Sequence, residues 1–148
     1  MGPGGPRPEP TTPGPLRAVF VGVEGLVGMA AVAGTGQLLA DIATPPDKDL
    51  PFGWQDWTVP GVWLFATVAL PSLLAAALAL RASRWTADAV IGASTALAVE
   101  VLVQIPFVGP SILQLICGAV AIVMTVLAWR VRPGWRATSR ACRPAIRR

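Results

Sequence analysis

Two glutamates, Glu24 and Glu100, interrupt long apolar runs, and a carboxyl so placed can carry a proton, bind a cation or organise hydrogen bonds. An ionised carboxylate near a bilayer centre costs roughly 2.5–3.5 kcal/mol on insertion scales, so it faces the protein interior, keeps its proton or collects donors. Around Glu100 the sequence supplies amides. Gln104 follows one helical turn later, while Gln37 and Gln114 fall near the ends of other apolar runs. Amide side chains donate to a carboxylate and accept from a carboxylic acid. Glu100, Gln104, Gln114 and Gln37 are therefore the candidate intramembrane polar cluster. Its bland reading is hydrogen-bond glue between helices; its sharper one is a proton, ion or small-solute site. Glu24 is the second intramembrane acid, close enough to one membrane face to snorkel towards it.

Other chemistry is excluded by what the chain lacks. It has no His, which removes imidazole as metal ligand or general base. Cys117 lies in an apolar run and Cys142 in a basic tail, without a CxxC, so neither a disulfide nor thiol redox is expected. The glycines of the first apolar run do not follow a strand and do not spell a dinucleotide loop. The sequence thus predicts no catalytic residue, no cofactor and no metal; it does not read as an enzyme.

The elements that must hold these carboxyls are membrane spans. The chain is 53 % hydrophobic and only 14 % charged, against roughly 25 % charged for a soluble domain. Between Asp88 and Arg130, Glu100 is the only Asp, Glu, Lys or Arg. The pattern predicts an all-α membrane protein, a four-helix transmembrane bundle with spans at about 18–40, 60–80, 87–105 and 111–129. Residues 1–15, with six Pro and four Gly, form a disordered N-terminus; 16–130 form the transmembrane domain, and 131–148 a basic cytoplasmic tail. Pro71 should kink the second span, and the two prolines of 106–110 should end the third. Gly22, Gly25, Gly28, Gly34 and Gly36 read as helix-packing residues. On the third span Ala89, Gly92 or Ala93, Ala96, Glu100 and Gln104 share one face, which should point into the bundle.

Orientation follows from the basic flanks. Arg81 and Arg84 lie between spans two and three and seven Arg follow the fourth span, while the 41–59 loop carries Lys48 against four Asp. This predicts both termini in the cytoplasm. Tryptophans favour the headgroup level, which gives Phe52, Trp54, Trp57 and Trp63 as interfacial aromatics at the outer face and Trp85 and Trp129 at the inner face. By depth, Glu24 lies about 10 Å from the inner side and Glu100 about 8 Å from the outer, so the two carboxyls do not form a dyad.

The expected partners are the lipid bilayer, anionic headgroups at the arginine-rich tail, and a second copy or another membrane protein. Nucleic acid is not expected, because no stacking platform accompanies the arginines. An Arg-over-Lys bias of eleven to one suggests a GC-rich bacterial genome and hence a bacterial plasma membrane. Leu50, Pro51, Phe52, Pro60 and Gly61, with Glu100 and Gln114 further on, resemble a family of small four-span bacterial integral membrane proteins of unknown function. That resemblance implies the same architecture and no activity. A structural or accessory protein binding membrane partners or lipid is the functional expectation. The alternative is a small proton- or ion-coupled transporter or channel using Glu100 and Glu24.

Overall fold

The computed structural model describes residues 14–42, 44, 54 and 56–132. Phe52 and the basic tail beyond Arg132 lie outside the described residues. Four helices are long and apolar enough to cross a membrane: α1 (Gly14–Leu39), α2 (Thr58–Leu80), α3 (Thr86–Val108) and α4 (Ile112–Val131). The shortest has 20 residues, which at 1.5 Å per residue matches a hydrocarbon core of about 30 Å. No strand occurs among the described residues. Leu26, Ile112 and Leu115 are 73 %, 79 % and 72 % exposed, a surface suited to hydrocarbon and not to water.

Local chemistry sets the helix ends. α1 starts at Gly14, four residues before the expected span, because Pro15 in a first turn forgoes only an N–H that has no helical partner. α1 and α2 both end in a residue of left-handed conformation, Asp41 (φ 54°) and Ala82 (φ 51°). Ile42 N–H bonds to Gln37 O at 2.9 Å and Ser83 N–H to Leu78 O at 3.0 Å, the closing bonds of Schellman motifs. Thr86 then locks the turn into α3 by donating to Ser83 O and Leu78 O at 2.7 and 3.1 Å. The third span does not stop at Ile105. Pro106 sits in the last turn, so the helix continues to Val108 and ends where Gly109 takes φ 78°.

The strain expected at Pro71 appears one turn upstream. α2 is α-helical over Thr58–Leu64, π-helical over Phe65–Ala69 and α-helical again over Leu70–Leu80. Proline lacks an N–H and its ring crowds the carbonyl four residues back, here that of Thr67. The wider turn relieves this crowding, with Leu70 N–H reaching back five residues to Phe65 O.

α1 packs along α2, α2 along α3 and α3 along α4, while α1 meets α3 at only a few points and α4 at fewer still. The buried side of α1 reads Phe20, Glu24, Gly28, Ala31 and Thr35, spacings of three and four that keep one helix face turned to α2 and α3. Two apolar clusters result. One joins Phe20, Ala75, Ala79, Val90, Ala93, Met124 and Ala128; the other joins Ala31, Val68, Ala69, Leu97 and Ala121. Only one glycine of α1 sits at a close approach. A Cβ on Gly28 would lie 2.7 Å from Leu73 Cγ and 3.2 Å from its backbone N. Gly34 has Leu64 at ordinary contact distance, and Gly22, Gly25 and Gly36 face open space. Most of the glycines expected to pack helices therefore lie on the outward side of α1, not at its seam.

Candidate functional site

The two carboxyls occupy separate polar layers. Glu100, on the C-terminal half of α3, is 8 % exposed. Three donors converge on it. Trp63 Nε1–H donates to Oε2 at 2.9 Å, the Thr67 hydroxyl donates to Oε2 at 3.2 Å, and Gln104 Nε2 donates to Oε1 at 3.0 Å. Trp63 and Thr67 are one turn apart on α2, so they present donors side by side. Thr67 also reaches Trp63 O at 2.9 Å. Its one hydroxyl proton is thus shared between a main-chain carbonyl at the edge of the π-helical segment and the Glu100 carboxyl.

The expected cluster is only partly brought together. Gln104 joins Glu100, but Gln114 and Gln37 are not among its hydrogen-bond partners. Gln114 is the third residue of α4, and its side chain accepts from Ser111 N–H at 2.9 Å while its own N–H donates to Ser111 Oγ at 3.2 Å. This capping box satisfies two helix-end donors and holds the amide at its own helix. Gln37 is exposed near the end of α1. The donors that replace these amides are an indole and a threonine on α2. Their signal in the sequence was the i, i+4 spacing of Trp63 and Thr67 on the span antiparallel to Glu100.

Glu24 does not snorkel. It is 3 % exposed and lies between α2 and α3. Ser94 Oγ donates to its Oε1 at 3.5 Å, and the Ser72 hydroxyl lies against the same carboxyl. Ser72 and Ser94 are 1 % and 2 % exposed. On each helix the polar residue falls between members of the two apolar clusters: Glu24 between Phe20 and Ala31, Ser72 between Ala69 and Ala75, Ser94 between Ala93 and Leu97. Ser94 is six residues from Glu100, about 9 Å along α3, and the two carboxyls share no partner.

The aromatics divide between the ends of the bundle. Trp63 is 54 % exposed and Trp57 only 8 %, so Trp57 is a buried residue at the start of α2, its Nε1 unpartnered, and not an exposed belt residue. Trp54 is half-buried. At the other end Trp85 and Trp129 are 57 % and 45 % exposed, with Arg84 5.3 Å from the Trp85 ring centre and Arg132 5.8 Å from that of Trp129. Arg132 also pairs with Asp88 at 2.8 Å, joining the end of α4 to the start of α3. Among the described residues no group of three or more His, Cys, Asp or Glu is placed to hold a metal. Comparison with protein families, with characterised proteins and with solved structures gave no match.

Proposed function

We propose that this small polytopic membrane protein is a structural or accessory component that binds membrane partners or lipid, and not an enzyme. The observation that supports this reading is the convergence of three donors, from two helices, on Glu100. A carboxyl held in that way ties α2 to α3 and spends its oxygens on the bundle's own donors. We assign the protein to a bacterial plasma membrane with both termini cytoplasmic, on the strength of the arginines that flank spans two, three and four. The arginine-rich tail would then meet anionic headgroups, each basic residue contributing about 1 kcal/mol.

Reconstitution into liposomes tests the reading. Proton and sodium permeability should be the same for the wild type and for Glu100→Gln, which keeps the shape and hydrogen-bonding capacity of the side chain. A flux that vanishes in Glu100→Gln while the variant folds normally overturns it and favours the ion-coupled alternative.

A further inference from the structure

The end of the bundle where α1 and α3 begin and α2 and α4 finish carries charge that the helix packing does not use. An apolar cluster gathers Phe20, Ala79, Val90 and Ala128 there, with Leu16 and Val131 against it. Among the described residues this end holds five arginines, Arg17, Arg81, Arg84, Arg130 and Arg132, against one acid, Asp88. The opposite end holds Asp41 and Asp56 and no described basic residue. An excess of arginine beside a span attracts anionic headgroups in general. One of these arginines does more than add charge.

Arg132 is held from two sides. Its Nε pairs with Asp88 Oδ1 at 2.8 Å, and its guanidinium carbon lies 5.8 Å from the centre of the Trp129 ring. A guanidinium carries five N–H donors in a rigid fork. Asp88 takes the one on Nε, and those on the terminal nitrogens have no partner among the described residues. The side chain keeps 47 % of its surface exposed, and a fork so oriented fits two oxygens of a phosphate at once. α4 crosses with 20 residues that end at Val131, so Arg132 stands where a hydrocarbon core of about 30 Å gives way to headgroups.

The face of α4 that leads away from Arg132 suits an acyl chain. Trp129, Val126 and Ile122 follow at intervals of three, three and four residues and share its side of the helix. All three are exposed. From Arg132 to Ile122 is ten residues, about 15 Å at helical rise and so the depth of one leaflet. A free phosphate would use the fork alone, whereas a phospholipid uses the fork and the track below it. A zwitterionic headgroup would bring an ammonium into the same excess of arginines.

We propose that Arg132, oriented by Asp88 and Trp129, binds the phosphate of one anionic phospholipid whose acyl chain lies along Trp129, Val126 and Ile122. Such a site presupposes the lipid-binding reading above and lies on the bundle itself, apart from the arginine-rich tail. The test titrates the full chain in detergent micelles with phosphatidylglycerol, and with phosphatidylcholine and glycerol 3-phosphate as comparisons, and counts retained molecules by native mass spectrometry. One phosphatidylglycerol should be held in preference to phosphatidylcholine, and glycerol 3-phosphate should not displace it. Arg132→Lys, which keeps the charge and loses the fork, should weaken retention roughly tenfold, the worth of one charge-assisted hydrogen bond. Asp88→Asn should weaken it too, although that change makes the end more positive. Retention unchanged or tightened in Asp88→Asn overturns the proposal, because diffuse attraction then accounts for the binding. Retention that survives Arg132→Lys but is lost when Arg136, Arg140, Arg143, Arg147 and Arg148 are changed to Gln also overturns it, while the lipid-binding reading stands. Glycerol 3-phosphate held as tightly as the lipid overturns it in favour of a free phosphate. No preference for phosphatidylglycerol in the wild type overturns the site and the lipid-binding reading together.

Discussion

Replacing Glu100 by leucine removes the acceptor for Trp63, Thr67 and Gln104 together. Two of these bonds cross between helices, and interhelical hydrogen bonds in membranes average about 0.6 kcal/mol with a maximum near 1.7. The third lies within α3, and half-buried Gln104 has access to headgroup water. Thr67 keeps Trp63 O as its acceptor, which limits the loss on that side. The expected destabilisation by Glu100→Leu is therefore about 1–2 kcal/mol, while Glu100→Gln, whose amide still accepts from α2, should cost less than about 0.5 kcal/mol. Reversible unfolding in mixed micelles with a rising fraction of denaturing detergent, followed by tryptophan fluorescence, measures both. A double-mutant cycle of Glu100→Leu with Trp63→Phe should return a coupling of about 0.5–1.5 kcal/mol. Glutamine proving as damaging as leucine, or a cycle without coupling, would refute the account of Glu100 as a tie between helices.

Four further expectations are open to measurement. Gly28→Ala should destabilise by about 1–3 kcal/mol through overpacking against Leu73, whereas Gly22→Ala, which meets open space, should be neutral or stabilising in the same unfolding assay. Asp88→Asn should cost at most about 1 kcal/mol, because the pair with Arg132 is exposed to solvent on both sides, and its double-mutant coupling should shrink as salt is added. Ala82→Gly should stabilise by roughly 0.5–1 kcal/mol, since glycine takes the positive φ at that helix end without strain. Alkaline phosphatase fused after Gly53 should be active and after Arg148 inactive; the reverse pattern would invert the assigned topology.

The spans were legible because hydropathy acts over whole segments: some twenty predominantly apolar residues with at most two charged side chains admit few other structures. The hydrogen-bond partners of the carboxyls were less so, and for identifiable reasons. Gln104 follows Glu100 by one turn, so helical geometry alone brings them together. Gln114 carried a competing local role that its sequence does announce, since Ser111 stands three residues before it at the start of a helix. Trp63 was assigned to the interface from its residue type; its i, i+4 spacing with Thr67 marked a pair of donors on one face of α2, but not that this face turns to Glu100. Ser72 and Ser94 are unremarkable in an apolar run until the relative rotation of α1, α2 and α3 is known. That rotation depends in turn on the π-helical segment, an offset that Pro71 suggests but does not locate.

The order in which the helices touch bears on how the protein is made. Each span has the preceding one as a main neighbour, so a chain entering the membrane from its N-terminus always finds its partner already inserted. Every side chain of both polar layers comes from α1, α2 or α3. The costly carboxyls are thus enclosed before the last quarter of the bundle leaves the ribosome, and neither waits for a distant segment. α4 then closes an apolar seam, through Ala121, Met124 and Ala128, on a nascent protein whose polar side chains have already found their hydrogen-bond partners.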